Sequence, residues 1–130
     1  MILASLKTFW AGNATIQAAL PVSKVYLDLV PEGTAFPYAR ITVLGGSPEY
    51  TTGGTHIETF EYQLAVYHSD FDALAAIGDT IEGQLNRSYP TAATMSHSKS
   101  NDTATCEIIN GKYTYGLVIE YEWVYNSNAA

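Results

Sequence analysis

The sequence predicts an α+β fold: an N-terminal helix, then an antiparallel β-sheet of two hairpins with a central helix packed on one face. Two segments carry apolar residues at helical spacing, and several others alternate apolar and polar residues as strands do. Asn110-Gly111 is a strong signal for a two-residue hairpin turn, since both turn positions need positive φ. The chain has 130 residues, 47% of them apolar, which suffices for one hydrophobic core. We therefore expect a single α+β domain over residues 1–130.

The first helix is predicted within residues 1–21. Its apolar positions, including Leu6 and Trp10, recur near helical spacing, and Pro21 ends it. Gly12-Asn13 interrupts the pattern, so the segment is either one helix with a weak centre or two short helical turns.

The central helix is predicted from a capping box at Ser69 and Asp72 to about Arg87. Its glycines, Gly78 and Gly83, are explained by close packing on the sheet. The apolar stripe that we expect to face the sheet consists of Phe71, Leu74, Ile77, Ile81 and Leu85.

The strands are predicted from alternation. A short strand spans Lys24 to Leu27, and the strands 38–44 and 57–68 form the first hairpin. Between them, residues 45–55 are predicted to be a long hairpin tip, because the segment contains two Gly-Gly pairs.

The second hairpin is predicted from strands at 91–98 and 104–109, separated by a loop at 98–102, and from a last strand over Tyr113 to Tyr125. In the last strand the aromatic residues share one face, and Glu120 and Glu122 lie on the other. Residues 126–130 are predicted to be a flexible C-terminal tail.

The charge balance argues against tight nucleic-acid binding. Thirteen acidic residues against six basic ones give a formal net charge of −7, and the six basic residues are scattered rather than clustered. No run approaches the ~20 apolar residues needed to span a bilayer, so we expect no membrane partner. The single cysteine, Cys106, cannot form an internal disulfide and is predicted to be a core thiol, because it alternates with Ala104 and Ile108.

Nothing in the sequence amounts to an active site, and we expect no enzyme, metal or cofactor. The histidines His56, His68 and His97 match no zinc signature and are interpreted as polar surface residues. The Gly-Gly pairs lie between two strands without a nearby Lys, unlike a phosphate cradle. Paired glutamates could perform acid/base chemistry, but their alternation with aromatic residues places them toward solvent or a channel.

One segment resembles a signature of tailed-bacteriophage neck proteins, namely tail terminators and head–tail joining (tail completion) proteins. It reads V-Y-x-D-x-x-P-E-G-x-x-x-P-Y over residues 25–38. Gly33 permits a turn, the two prolines stiffen the segment, and Phe36 and Tyr38 are expected to anchor the strand in the core. The motif residues are Tyr26, Asp28, Pro31, Gly33, Pro37 and Tyr38.

The resemblance implies a virion protein that forms a ring, commonly of six subunits, where the tail tube meets the head. Its partners would be further copies of itself, the tail-tube protein and the head connector proteins, and assembly would occur in the host cytoplasm. DNA would pass through without specific binding. The candidate lumen charges are Glu58, Glu61, Glu120 and Glu122. The candidate partner or oligomer contacts are Gly46, Ser47, Pro48, Glu49, Tyr50, Thr51, Thr52 and Gly53.

Two alternatives stay open. The chain could have a different neck role, such as a stopper or minor capsid protein. It could instead be a small α+β ligand-binding domain or enzyme, which would need a concave pocket with converging polar groups, for example around Tyr62, Tyr115 and His68.

Overall fold

The fold is a five-stranded mixed sheet with its helices on one face. The computed structural model describes residues 2–50, 56–109 and 111–126. In chain order the elements are α1 (Ile2–Gly12), α2 (Ala14–Ala19), a 3₁₀ turn (Val22–Lys24), β1 (Val25–Leu27), β2 (Tyr38–Tyr50), β3 (His56–His68), α3 (Phe71–Leu85), β4 (Thr94–Ile109) and β5 (Lys112–Asn126). The strand order is β1-β2-β3-β5-β4. This confirms the predicted α+β class.

The sheet contains the two predicted hairpins side by side. β2 pairs with β3, β3 with β5 and β5 with β4, all antiparallel. The short strand β1 adds to the outer edge of β2 and runs parallel to it, which makes the sheet mixed. None of the helices in the described ranges is long and apolar enough to cross a membrane.

The N-terminal segment forms two helices rather than one. The Asn13 side chain accepts hydrogen bonds from the backbone N–H groups of Thr15 and Ile16 and so caps α2. Its amide also donates to Gln84 Oε1 of α3 at 3.0 Å. The interruption at Gly12-Asn13 is therefore a helix boundary that ties α2 to α3.

The central helix begins one residue away from the predicted cap. Asp70, not Ser69, is the N-cap, and its carboxylate accepts from the N–H groups of Asp72 and Ala73. The predicted apolar stripe is largely confirmed, with Leu74, Ile81 and Leu85 buried and Ile77 packed against them. Phe71 is the exception: it is 51% exposed, because the first residue of the helix projects past the edge of the core.

The two glycines of α3 differ in their surroundings. A Cβ on Gly78 would lie 2.2 Å from Leu117 Cδ2 of β5, so α3 approaches the sheet closely there, as predicted. At Gly83 a Cβ would have open space around it, and the packing explanation is wrong for that residue.

The strands are longer than the sequence predicts. Residues 45–50 do not open a loop: β2 continues through Gly45 to Tyr50, paired with β3 and kinked by a bulge between Val43 and Gly45. Likewise, the predicted loop at 98–102 is part of β4, with a second bulge between Lys99 and Asn101. Residues 51–55, Asn110 and the tail at 127–130 lie outside the described residues.

The β4–β5 connection agrees with the turn prediction at the residues that are described. Ile109 pairs with Lys112, which leaves two positions between the strands, and Gly111 has φ of 75°. This left-handed conformation is one that glycine adopts without strain.

The core lies between the three helices and one face of the sheet. Trp10 of α1 is buried and donates from Nε1 to the Leu20 carbonyl at 2.8 Å. The largest side chains with almost no exposure on the sheet are Tyr62, Tyr121 and Trp123. The predicted division of β5 into an aromatic face and an acidic face is confirmed from Ile119 to Tyr125.

Cys106 is not a core thiol. It is exposed, although its side chain has the same alternation as the buried residues of the sheet. β4 extends past α3, so the last residues of the strand keep the alternating pattern with no helix covering them. The prediction of burial is therefore wrong.

Candidate functional site

The face of the sheet opposite the helices is polar. In the described residues the sheet side chains of the main core cluster, such as Tyr62, Leu64 and Val66, face α1, α2 and α3. The alternate residues point away from the helices, including Ala65, which is nevertheless buried. The residues on this helix-free face include Arg40, Thr42, Glu61, Gln63, Ser98, Asn101, Thr103, Thr105, Glu120 and Glu122. We refer to it below as the helix-free face.

Three of the four predicted lumen carboxylates meet at the centre of this face. Glu61 of β3 lies directly opposite Glu122 of β5, and Gln63 lies opposite Glu120. Residues opposite each other in an antiparallel pair have Cβ atoms about 4.5–5.5 Å apart, and like charges there destabilise the sheet. The cluster therefore opposes folding, which indicates a role outside the fold.

Glu58 does not belong to this cluster. It has the alternation of the core residues and lies opposite Tyr125, whose hydroxyl donates to Glu58 Oε2. Burial, together with this carboxylate, raises the pKa of Tyr125 to about 12. Glu58 is thus a partner of a nearly buried tyrosine on the other face of the sheet.

The predicted contact residues lie at the far end of the β2–β3 hairpin. Gly46 to Tyr50 are paired with Phe60 to His56, so this part of the candidate surface is an ordered ribbon. Thr51, Thr52 and Gly53 lie outside the described residues. A Cβ on Gly46 would lie 2.8 Å from the Thr59 carbonyl oxygen, so a side chain there would push against β3.

The motif segment at 25–38 joins β1 to β2 by a compact turn. Gly33 has φ of 81°, as predicted, and the Thr34 N–H donates to the Pro31 carbonyl at 3.2 Å. Asp28 also has positive φ, and its N–H donates to the Ile41 carbonyl at 2.9 Å. The Phe36–Pro37 peptide is cis.

The aromatic residues of the motif pack differently from the prediction. Phe36 and Tyr38 are half-buried rather than part of the core. Their rings stack with centroids 5.4 Å apart, and Phe36 also stacks on His68 at 6.4 Å. They secure the start of β2 through this stack. A groove of about 410 Å³ lies between the motif segment and the start of β5, next to Lys112 and Thr114.

His97 is buried, not a polar surface residue. It is 1% exposed and stacks on Tyr121 with ring centroids 5.2 Å apart. Its Nδ1 donates to the Leu85 carbonyl at 2.7 Å, and its Nε2 accepts from the Tyr62 hydroxyl at 2.6 Å. The Ser/Thr-rich sequence around it suggested solvent. His97 faces the same side as the buried Thr94 only because the bulge between Thr94 and Ser96 shifts the register, so strict alternation could not have revealed the burial.

The buried imidazole makes stability depend on pH. Burial lowers the pKa of His97, and the bond to the Leu85 carbonyl only partly opposes this. The unfolded chain, whose histidine pKa is about 6.5, therefore takes up a proton before the folded one does. We expect the free energy of unfolding to fall as the pH drops below about 6.5, before the carboxylates titrate.

Thermal unfolding followed between pH 5 and 8 would measure this slope. In His97→Gln, which keeps one donor and one acceptor, the slope between pH 5 and 6.5 should largely disappear. His68→Gln is the matched control and should retain it. An unchanged slope in His97→Gln would show that another group carries the pH dependence.

The described residues offer little for catalysis. No group of three or more His, Cys, Asp or Glu side chains among them is arranged to hold a metal ion. Tyr62, around which a pocket was considered, has no exposed surface and cannot line one. The concavity beside α3 is shallow and acidic, lined by Asp79, Glu82, Gly83 and Asn86.

The described surfaces of this domain are an open polar sheet face, long hairpins and uncovered strand edges. The family model described as "Tail completion protein gp17" matches the chain over residues 2–126. Because that match spans nearly the whole chain, the protein belongs to this family and is a structural protein of the phage tail. The resemblance noted in the motif segment is confirmed.

The fold is similar to that of a solved chain from the "virion of native gene transfer agent (GTA) particle". The TM-score is 0.61 with 12% sequence identity, covering 95% of this chain and 93% of that one. At this identity the likeness concerns the fold. A search among curated proteins gave no match.

Proposed function

We propose that copies of this chain assemble into a ring of six that ends the tail tube and joins it to the head. The ring would contact the tail-tube protein on one side and the head connector on the other, within the virion. Its subunits would be made and assembled in the host cytoplasm. It would act without catalysis or a cofactor.

The observation that carries this proposal is the carboxylate cluster on the helix-free face. Glu61, Glu120 and Glu122 lie together there at a cost to the fold. Among the described residues, the basic side chains of the same face are Arg40, nearer the β1 edge, and Lys112, at the start of β5. If this face lines the channel, the negative wall repels DNA phosphates and keeps the DNA from sticking. Family membership supplies the setting in which such a channel has a use.

The far end of the β2–β3 hairpin is our candidate for the contact with the tail tube or the connector. β3 pairs with β5 as far as Ile57, so this hairpin end lies at the margin of the sheet, where it can meet a partner without disturbing the core. The same surface would serve a stopper or another neck protein, and it is the choice of partner that distinguishes these roles.

Replacing residues 51–55 by Asn-Gly tests this contact. Because Tyr50 pairs with His56, a two-residue turn can close the ribbon without breaking its strands. We expect the thermal midpoint to stay within a few degrees of wild type, since no core residue changes, while the yield of joined virions falls at least about ten-fold, the effect of losing ~1.4 kcal/mol of contact energy.

The control is an equally conservative change at the other hairpin end, Gly111→Asn, which keeps a residue that tolerates positive φ. Electron microscopy of lysates counts joined and unjoined particles. A normal count of joined virions from the shortened hairpin would show that this end does not make the contact.

A further inference from the structure

The sheet has one strand edge that the fold covers over only part of its length. β4 is an edge strand of 16 residues. In its first half the chain after α3 covers the edge: the Arg87 N–H donates to the His97 carbonyl at 2.7 Å, and Asn86 Oδ1 accepts from the Lys99 N–H at 3.0 Å. The bulge at Lys99/Asn101 follows. Covering and bulging are the usual ways of protecting an edge.

The second half of β4 has none of this protection. Ile109 and Lys112 flank a two-residue connection, so their backbone groups form a hydrogen-bonded pair. The next pair, Ile108 and Tyr113, is a non-hydrogen-bonded pair, and the two kinds alternate along the strands. By this alternation the backbone groups of Asp102, Ala104, Cys106 and Ile108 point away from β5. In the described part of the chain no hydrogen bond covers this row, and it contains neither proline nor bulge. We call residues 102–108 the open edge.

Exposed apolar side chains lie beside the open edge. Ile108 is 67% exposed and Tyr113 opposite it is 64% exposed. Phe71, at 51% exposure, stands on Tyr115 in an edge-to-face contact nearby. All three lie on the helix side of the sheet, at or beyond the first residue of α3. Unpaired backbone N–H and C=O groups beside exposed apolar side chains form a surface to which another strand can add.

The opposite edge of the sheet has a matching patch. β1 covers only Ala39 to Ile41 of β2, so β2 is uncovered beyond that point. Leu27, Val43 and Leu44 are 41%, 43% and 47% exposed. Leu27 and Val43 lie opposite Ile41 and Tyr62, both buried, and so point to the helix side too.

The strand directions allow the two edges to join. From the pairing along the sheet, β1 and β2 run antiparallel to β4. A second copy placed beside the first in the same orientation therefore continues the sheet with antiparallel pairing. Followed across the sheet, Leu27 shares a row with Asp102 and Val43 with Lys99. The two apolar patches therefore meet on the helix side when the second copy is shifted along the strands by about four residues, roughly 13 Å, which brings Leu27 beside Cys106. The helix-free faces then join into one surface.

We infer that the open edge of one copy, residues 102–108, pairs with the β1–β2 edge of the next copy. The occupant of the open edge is thus a second copy of this chain. Such a contact uses two different surfaces on each subunit, so it repeats in one direction and can close into a ring. The inference rests on the proposed ring and specifies its interface. Pairing of two open edges with each other would use one surface twice and would stop at a dimer.

The single cysteine makes this testable by disulfide formation. Cys106 is exposed on the open edge and is the only cysteine in the sequence. A cysteine introduced at the β1–β2 edge can therefore form a disulfide with Cys106 of a neighbouring copy. Leu27→Cys and Val43→Cys should each be incorporated into tails and then oxidised. We expect at least one of them to give a ladder of covalent multimers on a non-reducing gel. Ala18→Cys, exposed on α2, is the matched control and should give none.

Ala104→Pro tests the same interface without a thiol. The Ala104 N–H points away from β5, so proline removes a donor from the open edge while keeping the hairpin bonds. We expect far-UV circular dichroism close to wild type and incorporation into tails reduced about ten-fold or more, since each interface loses a hydrogen bond and meets the proline ring.

The outcomes separate the interface from the ring. If wild-type protein enters tails but neither cysteine variant gives a ladder, or if Ala104→Pro enters tails normally, the interface is wrong and the ring survives. Disulfide-linked dimers in oxidised wild-type protein would mean that open edges pair with each other, which also overturns the inference. Absence of wild-type protein from purified tails would instead overturn the proposed function. If Ala104→Pro does not fold, the non-reducing gel of the two cysteine variants alone tests the interface.

Discussion

Trp123→Ala is expected to lower the free energy of unfolding by about 3–5 kcal/mol, the usual result of removing a buried tryptophan. The Trp123 side chain has no exposed surface. It packs edge-on against His97 and Tyr125 with ring centroids 5.4 and 6.1 Å away, and its Nε1 donates to Thr94 Oγ1 at 3.0 Å. Since domains of this kind are stable by about 5–15 kcal/mol, the variant should be partly unfolded on modest heating.

Urea unfolding followed by circular dichroism measures this change. Trp123→Phe keeps most of the ring packing but removes the indole N–H that donates to the Thr94 hydroxyl, which still accepts from the Thr91 N–H. We therefore expect an intermediate loss of about 1–3 kcal/mol. Tyr89→Ala, at a side chain that is 68% exposed, should change stability by less than about 0.5 kcal/mol. A Trp123→Ala value as small as the Tyr89→Ala value would mean that this stack is not central to the core.

The parts of the fold that sequence predicted well are those with strong local patterns. The alternation of Ile119, Tyr121 and Trp123 with Glu120 and Glu122 holds in the structure, because one face of β5 is buried and a one-residue slip would expose it. The predicted apolar stripe of α3 is largely confirmed because that helix, too, has one buried face. Membership of the family was visible in the loop at 25–38, where turn chemistry restricts the residue types.

The errors occurred where tertiary contacts override local preference. Gly45-Gly46 reads as a loop, yet the bulge at Val43/Gly45 lets β2 continue along β3. Cys106 has the alternation of a core residue, but no helix reaches it. Whether a strand extends past the helix that covers it is a property of the assembled layers, and alternation alone cannot reveal it.

The candidate site shows the same division. Alternation places Glu120 and Glu122 on one face, but it does not say which strand lies beside them. Only the pairing of β3 with β5 brings Glu61 opposite Glu122. The same alternation separates Glu58 from Glu61, because residues three apart in a strand point to opposite faces of the sheet. The prediction that grouped Glu58 with the other lumen residues did not apply this rule.

Reversing the charge of the cluster, with Glu120→Lys and Glu122→Lys together, is expected to leave tail assembly intact and to reduce infectivity by about 100-fold or more. Each subunit changes by four charge units at the face proposed to line the channel. In a ring of six, the channel wall would then attract the DNA phosphates. The affinity for DNA rises steeply with the number of phosphates that lysines neutralise. Stability should not fall, because Glu122→Lys sets a positive charge opposite Glu61 and replaces a repulsive pair by an attractive one.

Plaque counts per assembled particle measure infectivity, and electron microscopy measures assembly. The matched control is Asp72→Lys with Asp79→Lys, which changes the net charge equally at exposed positions of α3, on the other side of the sheet, and should preserve infectivity. Raising the salt concentration during DNA release should partly rescue the cluster variant, because screening weakens attraction to phosphate. If the cluster variant infects as well as the control, the helix-free face does not line the DNA path, and the carboxylates must serve a contact between proteins instead.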